Sequence, residues 1–356
     1  EIPLRLVGSE MCIRDRVEEV HFFLNMFRAR RNNDDFAIKI VVWLMGSMAF
    51  YGIYEGVTQN NPLFLRFFSE NALTDYKNSF LYTYNTVGSM EEALIFAMLL
   101  SMSSIFILMM GNKRNKYLLY IVFGIAMFFT NKRSALLMWI LVYVIYEVLD
   151  AWFISNKRTY AVRLFKIMFG IAIGIFILSI VKIKGNTILS LVTGKFTGLF
   201  SEDSRSYMQR YGALIIALEL ILQKNSIFGF LFGNGLSSLV GNFVTNRRTI
   251  TDLNFYVIDN QYITSWYDSG FVFLILCVFI CVHFIIELTK IIVDKHIEIS
   301  LRKKSLVLLI GMILVMFYSF IIDVLTWYQP IFIISFIIAL SNWNIKEAKK
   351  ECEYTR

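Results

Sequence analysis

Six cations and three carboxylates stand out in this chain because of where they fall. Lys132 and Arg133 sit between two long apolar runs, Lys182 and Lys184 end another, and Arg205 and Arg210 open a stretch of mixed character. A planar guanidinium matches a phosphate through paired hydrogen bonds, so arginines gathered at one end of a helical bundle suit a bound anion. Snorkelling to lipid headgroups competes with that reading, above all for the lysines. Among the acids, Asp259 and Asn260 stand where an apolar run begins, and helix capping competes with chemistry for both. Asp259, Tyr262, Trp266 and Ser269 share one helical face, whereas Asp268 falls on the opposite one and requires a partner inside the bundle. Asp323 ends another apolar run, just before Trp327, Tyr328 and Gln329. Any of the three carboxylates could accept a proton from a sugar hydroxyl, and the aromatics could stack on sugar rings. Aromatic belts at a membrane interface explain most of the Trp and Tyr without chemistry.

These residues must be positioned by membrane helices. The chain has 356 residues, 57% of them hydrophobic and 17% charged, more apolar surface than one soluble core could hide. Apolar runs lie near 36–56, 91–110, 117–131, 134–154, 164–184, 262–287, 305–326 and 329–343. That predicts an all-α polytopic fold of about eight crossings, with 117–131 and 329–343 short for a bilayer. Basic residues fall in alternate loops: Arg28, Arg30 and Arg31; Lys113, Arg114 and Lys116; Lys157, Arg158, Arg163 and Lys166; Lys290, Lys295, Arg302, Lys303 and Lys304; Lys346, Lys349 and Lys350. The alternation puts both observed ends in the cytoplasm, and 57–90, the turn at Asn131 to Arg133 and the loop 185–261 outside. The formal charge of +8 is thereby explained by orientation, with no nucleic-acid partner. The expected organisation is a leader 1–16, a cytoplasmic segment 17–35, a transmembrane domain 36–343 and a cytoplasmic tail 344–356. The leader's LRLVGSEMCIRDR resembles translated sequencing-adapter sequence and is expected to be non-native.

Within the outer loop, 203–224 reads as an amphipathic helix too short and too interrupted to span. Arg205, Gln209, Gly212, Ile216, Glu219 and Gln223 form a largely polar stripe, and Arg210 projects about 140° away. Ser201, Glu202 and Asp203 suit a helix N-cap and first turn better than catalysis. Gly229, Gly233 and Gly235 could form an anion-binding nest, though a turn that ends a helix is the plainer reading. His21, His283 and His296 fall on the inner side, Cys12, Cys277, Cys281 and Cys352 suggest no disulfide framework, and no metal-ligand cluster or cofactor motif is evident.

Three blocks together resemble the O-antigen polymerase and O-antigen ligase superfamily: TNKRSALL at 130–137, SRSYMQR with its trailing helix and the GNG turn at 204–235, and DNQYI through DSG at 259–270. The resemblance covers about 120–290, and its specificity lies in the order of short motifs. It implies a GT-C-like, all-helical membrane glycosyltransferase of a bacterial inner membrane, acting on polyprenyl-diphosphate-linked oligosaccharide and usually having more crossings. By position it makes Arg133 and Arg205 or Arg210 the residues that hold the lipid diphosphate. Ligases commonly carry a histidine where Asp259 stands, which favours a polymerase. On this reading Asp259 is the acceptor-side base, and Lys132, Asn260, Tyr262, Trp266, Asp268 and Asp323 line the substrate. A diphosphate is already an ionised leaving group and needs cations more than a general acid, so no metal is required. A chain-length regulator and a flippase are the protein partners that such an enzyme implies. A ligase, or a flippase or exporter of lipid-linked oligosaccharide, are the alternatives; a transporter would show internal repeats and mid-membrane charges. An enzyme using polyprenyl-phosphate sugars would want an acid in the first outer loop, where Glu70 and Asp75 stand.

Overall fold

The computed structural model describes residues 34–63, 85–90, 92–110, 113–154, 162, 182–183, 186–187, 205–222, 226–246 and 258–354; side chains of 34, 113–114, 182–183, 186–187, 205–210, 244–246 and 354 are outside that description. The apolar run 164–184 (except Lys182 and Ile183), the leader 1–16, and Glu70, Asp75, Lys184, Ser201, Glu202, Asp203 and Gln223 all lie outside the described residues. The helices are α1 (Asp34–Thr58), α2 (Ala93–Leu108), α3 (Lys113–Phe129), α4 (Arg133–Leu149), α5 (Arg205–Leu222), α6 (Ile227–Phe232), α7 (Ser238–Asn246), α8 (Gln261–Val293), α9 (Ile299–Ile321) and α10 (Tyr328–Tyr354). Among the described residues, the strand pairing is a two-residue antiparallel one, Lys182–Ile183 with Asn186–Thr187. Five helices among the described residues are long and apolar enough to cross a membrane: α1, α4 with its π-helical extension Asp150–Ile154, α8, α9 and α10. The expected count of eight is therefore not reached among the described residues, which leave out nearly all of the run 164–184. The runs at 91–110 and 117–131 form helices of 16 and 17 residues, about 24 to 26 Å at 1.5 Å per residue, short of a hydrocarbon core of about 30 Å.

The chain divides into two compact units, and the larger comprises Glu19–Arg163, Phe284–Val315 and Trp327–Arg356. Its centre is α2, all 16 of whose residues are buried. Ala93, Ala97, Ser101 and Ser104 recur along it at spacings of three or four, and such small side chains let neighbouring helices approach closely. One end of α1 is fixed to the segment before α2 by a buried polar network. The fully buried carboxylate of Glu55 accepts the backbone N–H groups of Val87 (3.2 Å) and Gly88 (2.7 Å). Asn61 donates to the Gly88 carbonyl and accepts from the Tyr51 hydroxyl. α3 and α4 form a hairpin that turns at Asn131 in the left-handed region (φ 59°), and the Tyr120 ring stacks on Trp139 at 4.9 Å. α9 and α10 run antiparallel, tied by Asn344, which donates to Ser305 Oγ. α10 continues without a break through residue 344, where a tail was expected, and Ala348 is still buried.

Arg302, expected only as part of an inner basic loop, is 6% exposed. Its Nε donates to the Ile292 carbonyl (3.0 Å) and its Nη2 to the Phe153 carbonyl (2.7 Å). Both carbonyls belong to last helical turns, where no intrahelical donor is available and a cation is favoured by the helix dipole. Arg302→Leu should therefore destabilise the protein by about 3 kcal/mol through two stranded carbonyls and a lost charge-assisted pair. Arg302→Lys should recover only part of that, because one ammonium cannot span both acceptors as the fork does. Thermal unfolding in detergent reads the difference, and equal midpoints for wild type and Arg302→Leu would refute the clamp.

Candidate functional site

The smaller unit includes Leu164–His283 and Met316–Thr326, and within it two motifs singled out from the sequence lock together. The turn after α6 contains Gly233 and the break in α8 contains Gly270, with φ/ψ of 88°/170° and 90°/166°. That region is open essentially to glycine alone. A Cβ on Gly233 would lie 2.2 Å from the Asp268 carbonyl oxygen, and one on Gly270 would lie 2.3 Å from the Leu231 carbonyl oxygen. The close approach lets Asn234 N–H donate to the Tyr267 carbonyl and Gly235 N–H to the Asp268 carbonyl, both at 3.0 Å. The amides that could have formed an anion nest are thus occupied: Gly233 N–H returns to Gly229, and the next two bind α8.

The side chain of Asp268 completes the lock. It accepts from the backbone N–H groups of Ser237 (2.8 Å) and Leu239 (2.9 Å) and from Ser238 Oγ (3.0 Å), capping the N-terminus of α7 from a different helix. Its partner inside the bundle is this cap. Trp266 is also occupied by packing, edge-on to Phe230 (5.3 Å) and against Phe271 (5.3 Å). Behind them, Ala213, Ala217, Leu220 and Ile221 of α5 pack with Leu239, Phe243, Ile258 and Tyr267. By register, Arg205 heads the polar stripe of α5, whereas Arg210 heads the stripe continued by Ala213, Ala217 and Ile221, all buried.

The glycine break also changes what α8 is. On a straight helix Tyr262 and Cys281 would be about 28 Å apart. Instead the Tyr262 hydroxyl is close enough to the Cys281 thiol to interact with it electrostatically, so 261–269 doubles back alongside 271–293. The crossing expected at 262–287 is therefore made by the arm from Phe271 to Val293, about 34 Å long. Only 6% of the most apolar α8 window is buried within the chain, as suits a helix facing lipid. The short arm carries the polar end of the unit. Asn260 caps it, its Oδ1 accepting Ile263 N–H (3.2 Å). Tyr262 donates to the Met316 carbonyl (2.8 Å) and its ring lies 4.6 Å from Phe320. Gln261 accepts Leu325 N–H through Oε1 (2.6 Å) and donates to Ser265 through Nε2 (2.8 Å). No sequence signal marked Gln261, because its role depends on a contact 64 residues away.

These contacts set the short arm against the turn 322–327, which holds Asp323, 5% exposed. Burial pushes its carboxyl up from 3.8 to about 7; hydrogen bonds with Thr326 and Thr264 oppose the rise, and the charges of Asp268 and Asp259 add to it. Its Oδ1 has no hydrogen-bond partner among the described residues. Asp259, half-buried, thus stands near a second carboxyl that holds its proton up to neutral pH. Lys132 and Arg133 belong to the larger unit. Lys132 takes the N-cap position of α4 and Arg133 its first residue, both half-buried at the dipole end that favours anions and disfavours cations. Among the described residues no three His, Cys, Asp or Glu side chains are placed to hold a metal ion. No protein-family model matches the chain, and no curated protein matches it.

Proposed function

We propose that this chain is a membrane polysaccharide polymerase of the O-antigen polymerase and ligase kind, GT-C-like in architecture and seated in a bacterial inner membrane with both observed ends cytoplasmic. It transfers a glycan from a polyprenyl-diphosphate carrier to the hydroxyl of a lipid-linked repeat unit at the outer face. In the step, the acceptor oxygen bonds to the anomeric carbon, the bond from that carbon to the diphosphate breaks, the acceptor proton passes to Asp259, and the diphosphate departs as an anion. The resemblance assigns that anion to Arg133, with its sequence neighbour Lys132, and to Arg205.

The observation that carries this reading is the carboxyl pair Asp259 and Asp323, set beside Asn260, Tyr262 and Thr264. Burial keeps Asp323 protonated up to about pH 7, which leaves Asp259 as the carboxylate placed to take the acceptor's proton, while the departing diphosphate needs cations rather than a general acid. Asp268, spent as a cap, leaves the proton acceptor to this pair. Asp259→Asn should slow chain growth about 100-fold in membranes supplied with lipid-linked repeat units, with protein level unchanged. An unchanged rate and chain length would assign Asp259 to structure.

A further inference from the structure

The outer surface of α6 is apolar. Ile227 and Phe228 are 83% and 71% exposed, Phe232 and Leu236 follow them on the surface, and the Phe228 and Phe232 rings lie 5.1 Å apart. Surfaces that face water rarely gather so many large apolar groups on one short segment. Charge is missing as well. From Ser226 to Asn246 the sequence has no Asp, Glu, Lys, Arg or His, and cations flank the stretch in sequence at Lys224 and at Arg247 and Arg248. Cations at both ends of an uncharged segment suit lipid phosphates.

This patch adjoins the lipid-facing arm of α8. The backbone of 231–233 presses on Gly270, the residue before that arm, and the Phe230 ring lies 5.7 Å from that of Phe271. Val272, Phe273 and Leu276, in the arm's first turns, are exposed too. α6 and α7, with six and nine residues, are about 9 and 14 Å long, so neither can cross a bilayer. A chain that enters hydrocarbon and returns must satisfy its backbone from within the protein. The break between α6 and α7 does so. Gly229 N–H donates to Ser226 Oγ, Gly233 N–H to the Gly229 carbonyl and Ser238 N–H to the Gly235 carbonyl. Asn234 and Gly235 donate to carbonyls of α8, and Ser237 and Leu239 to the Asp268 carboxylate, which supplies the acceptors that water gives an exposed helix end. We propose that residues 226–246 form a re-entrant membrane wedge, with α6 and its glycine turn seated among the acyl chains of the leaflet in which the long arm of α8 begins. Part of the loop 185–261, expected outside the bilayer, thus lies within it. The wedge is independent of the transferase reading.

Nitroxide labels at Phe228→Cys and Phe232→Cys test it, in the full chain with its native cysteines replaced and in phosphatidylethanolamine–phosphatidylglycerol vesicles. Two further labels set the scale: Phe279→Cys on the exposed face of the arm, and Lys295→Cys in the exposed turn after α8. The ratio of collisions with oxygen, which concentrates in hydrocarbon, to collisions with a water-soluble nickel chelate should match that at Phe279 and exceed that at Lys295 by about 10-fold or more. A ratio equal to that at Lys295 overturns the proposal. So does exclusion of both reagents, which means that protein, from this chain or a second copy, covers the patch. In the unsubstituted protein, a diazirine on a lipid acyl chain should label peptides containing 227–236 on photolysis. Label confined to other segments overturns the wedge even if the substituted proteins do not fold.

Discussion

Gly270→Ala is expected to cost the smaller unit about 3 kcal/mol or more, among the largest losses any single methyl group could inflict on this protein. Two terms act together. The backbone at φ 90° is closed to alanine, and the new Cβ would sit 2.3 Å from a carbonyl oxygen and 2.5 Å from a carbonyl carbon, neither of which is a side chain that can swing away. Relieving the clash means parting α6 from α8, which breaks the Asn234 and Gly235 hydrogen bonds and draws Asp268 from the end of α7. Gly233→Ala meets the same interface from the other side, at 2.2 Å from the Asp268 oxygen. The double variant should therefore cost little more than either single one, since both break a single interlock. Thermal unfolding and proteolysis within 223–257 would report the loss. A Gly270→Ala protein with wild-type stability, or strict additivity of the two, would show that the glycines do not meet.

How much of this could be read beforehand depends on whether a feature is local. The helices around 36–56, 134–154, 305–326 and 329–343 follow from apolar length, a property of consecutive residues, although α9 begins at Ile299 and ends at Ile321 and α10 runs on to Tyr354. The capping alternative for Asn260 follows from its place before an apolar run, and its Oδ1 does cap that helix. The failures are non-local. SWYDSGFVF reads as part of one crossing because nothing in the string says that a second glycine, 37 residues earlier, will press against Gly270 and fold the helix back. For the same reason Asp268 looked like a candidate for substrate when its partners are the amides of Ser237 and Leu239. Arg302 looked like one positive charge among several, because the carbonyls it clamps come from Phe153 and Ile292. Periodicity shows that a polar group in an apolar helix needs a partner, but the partner's identity belongs to the tertiary fold.

The arginines separate under substitution if the proposed chemistry is right. Arg133→Ala and Arg205→Ala should each abolish long polysaccharide, with about a 100-fold or greater loss in chain-growth rate, while protein level holds and single repeat units accumulate on the carrier. Lysine at either position should restore short chains only, since an ammonium supplies charge without the planar fork that grips a phosphate at two oxygens. Position supports the assignment of Arg133, a cation placed at the start of α4 where the helix dipole opposes it unless an anion intervenes. For Arg210 the expectation is different. It shares a register with Ala213, Ala217 and Ile221, so Arg210→Ala should alter protein level or unfolding temperature rather than the ratio of long chains to single units. Long chains persisting in both Arg133→Ala and Arg205→Ala would leave the departing diphosphate without its cations and end the polymerase reading. The reverse pattern, with Arg210→Ala alone selectively short-chained, would move the diphosphate to the opposite face of α5.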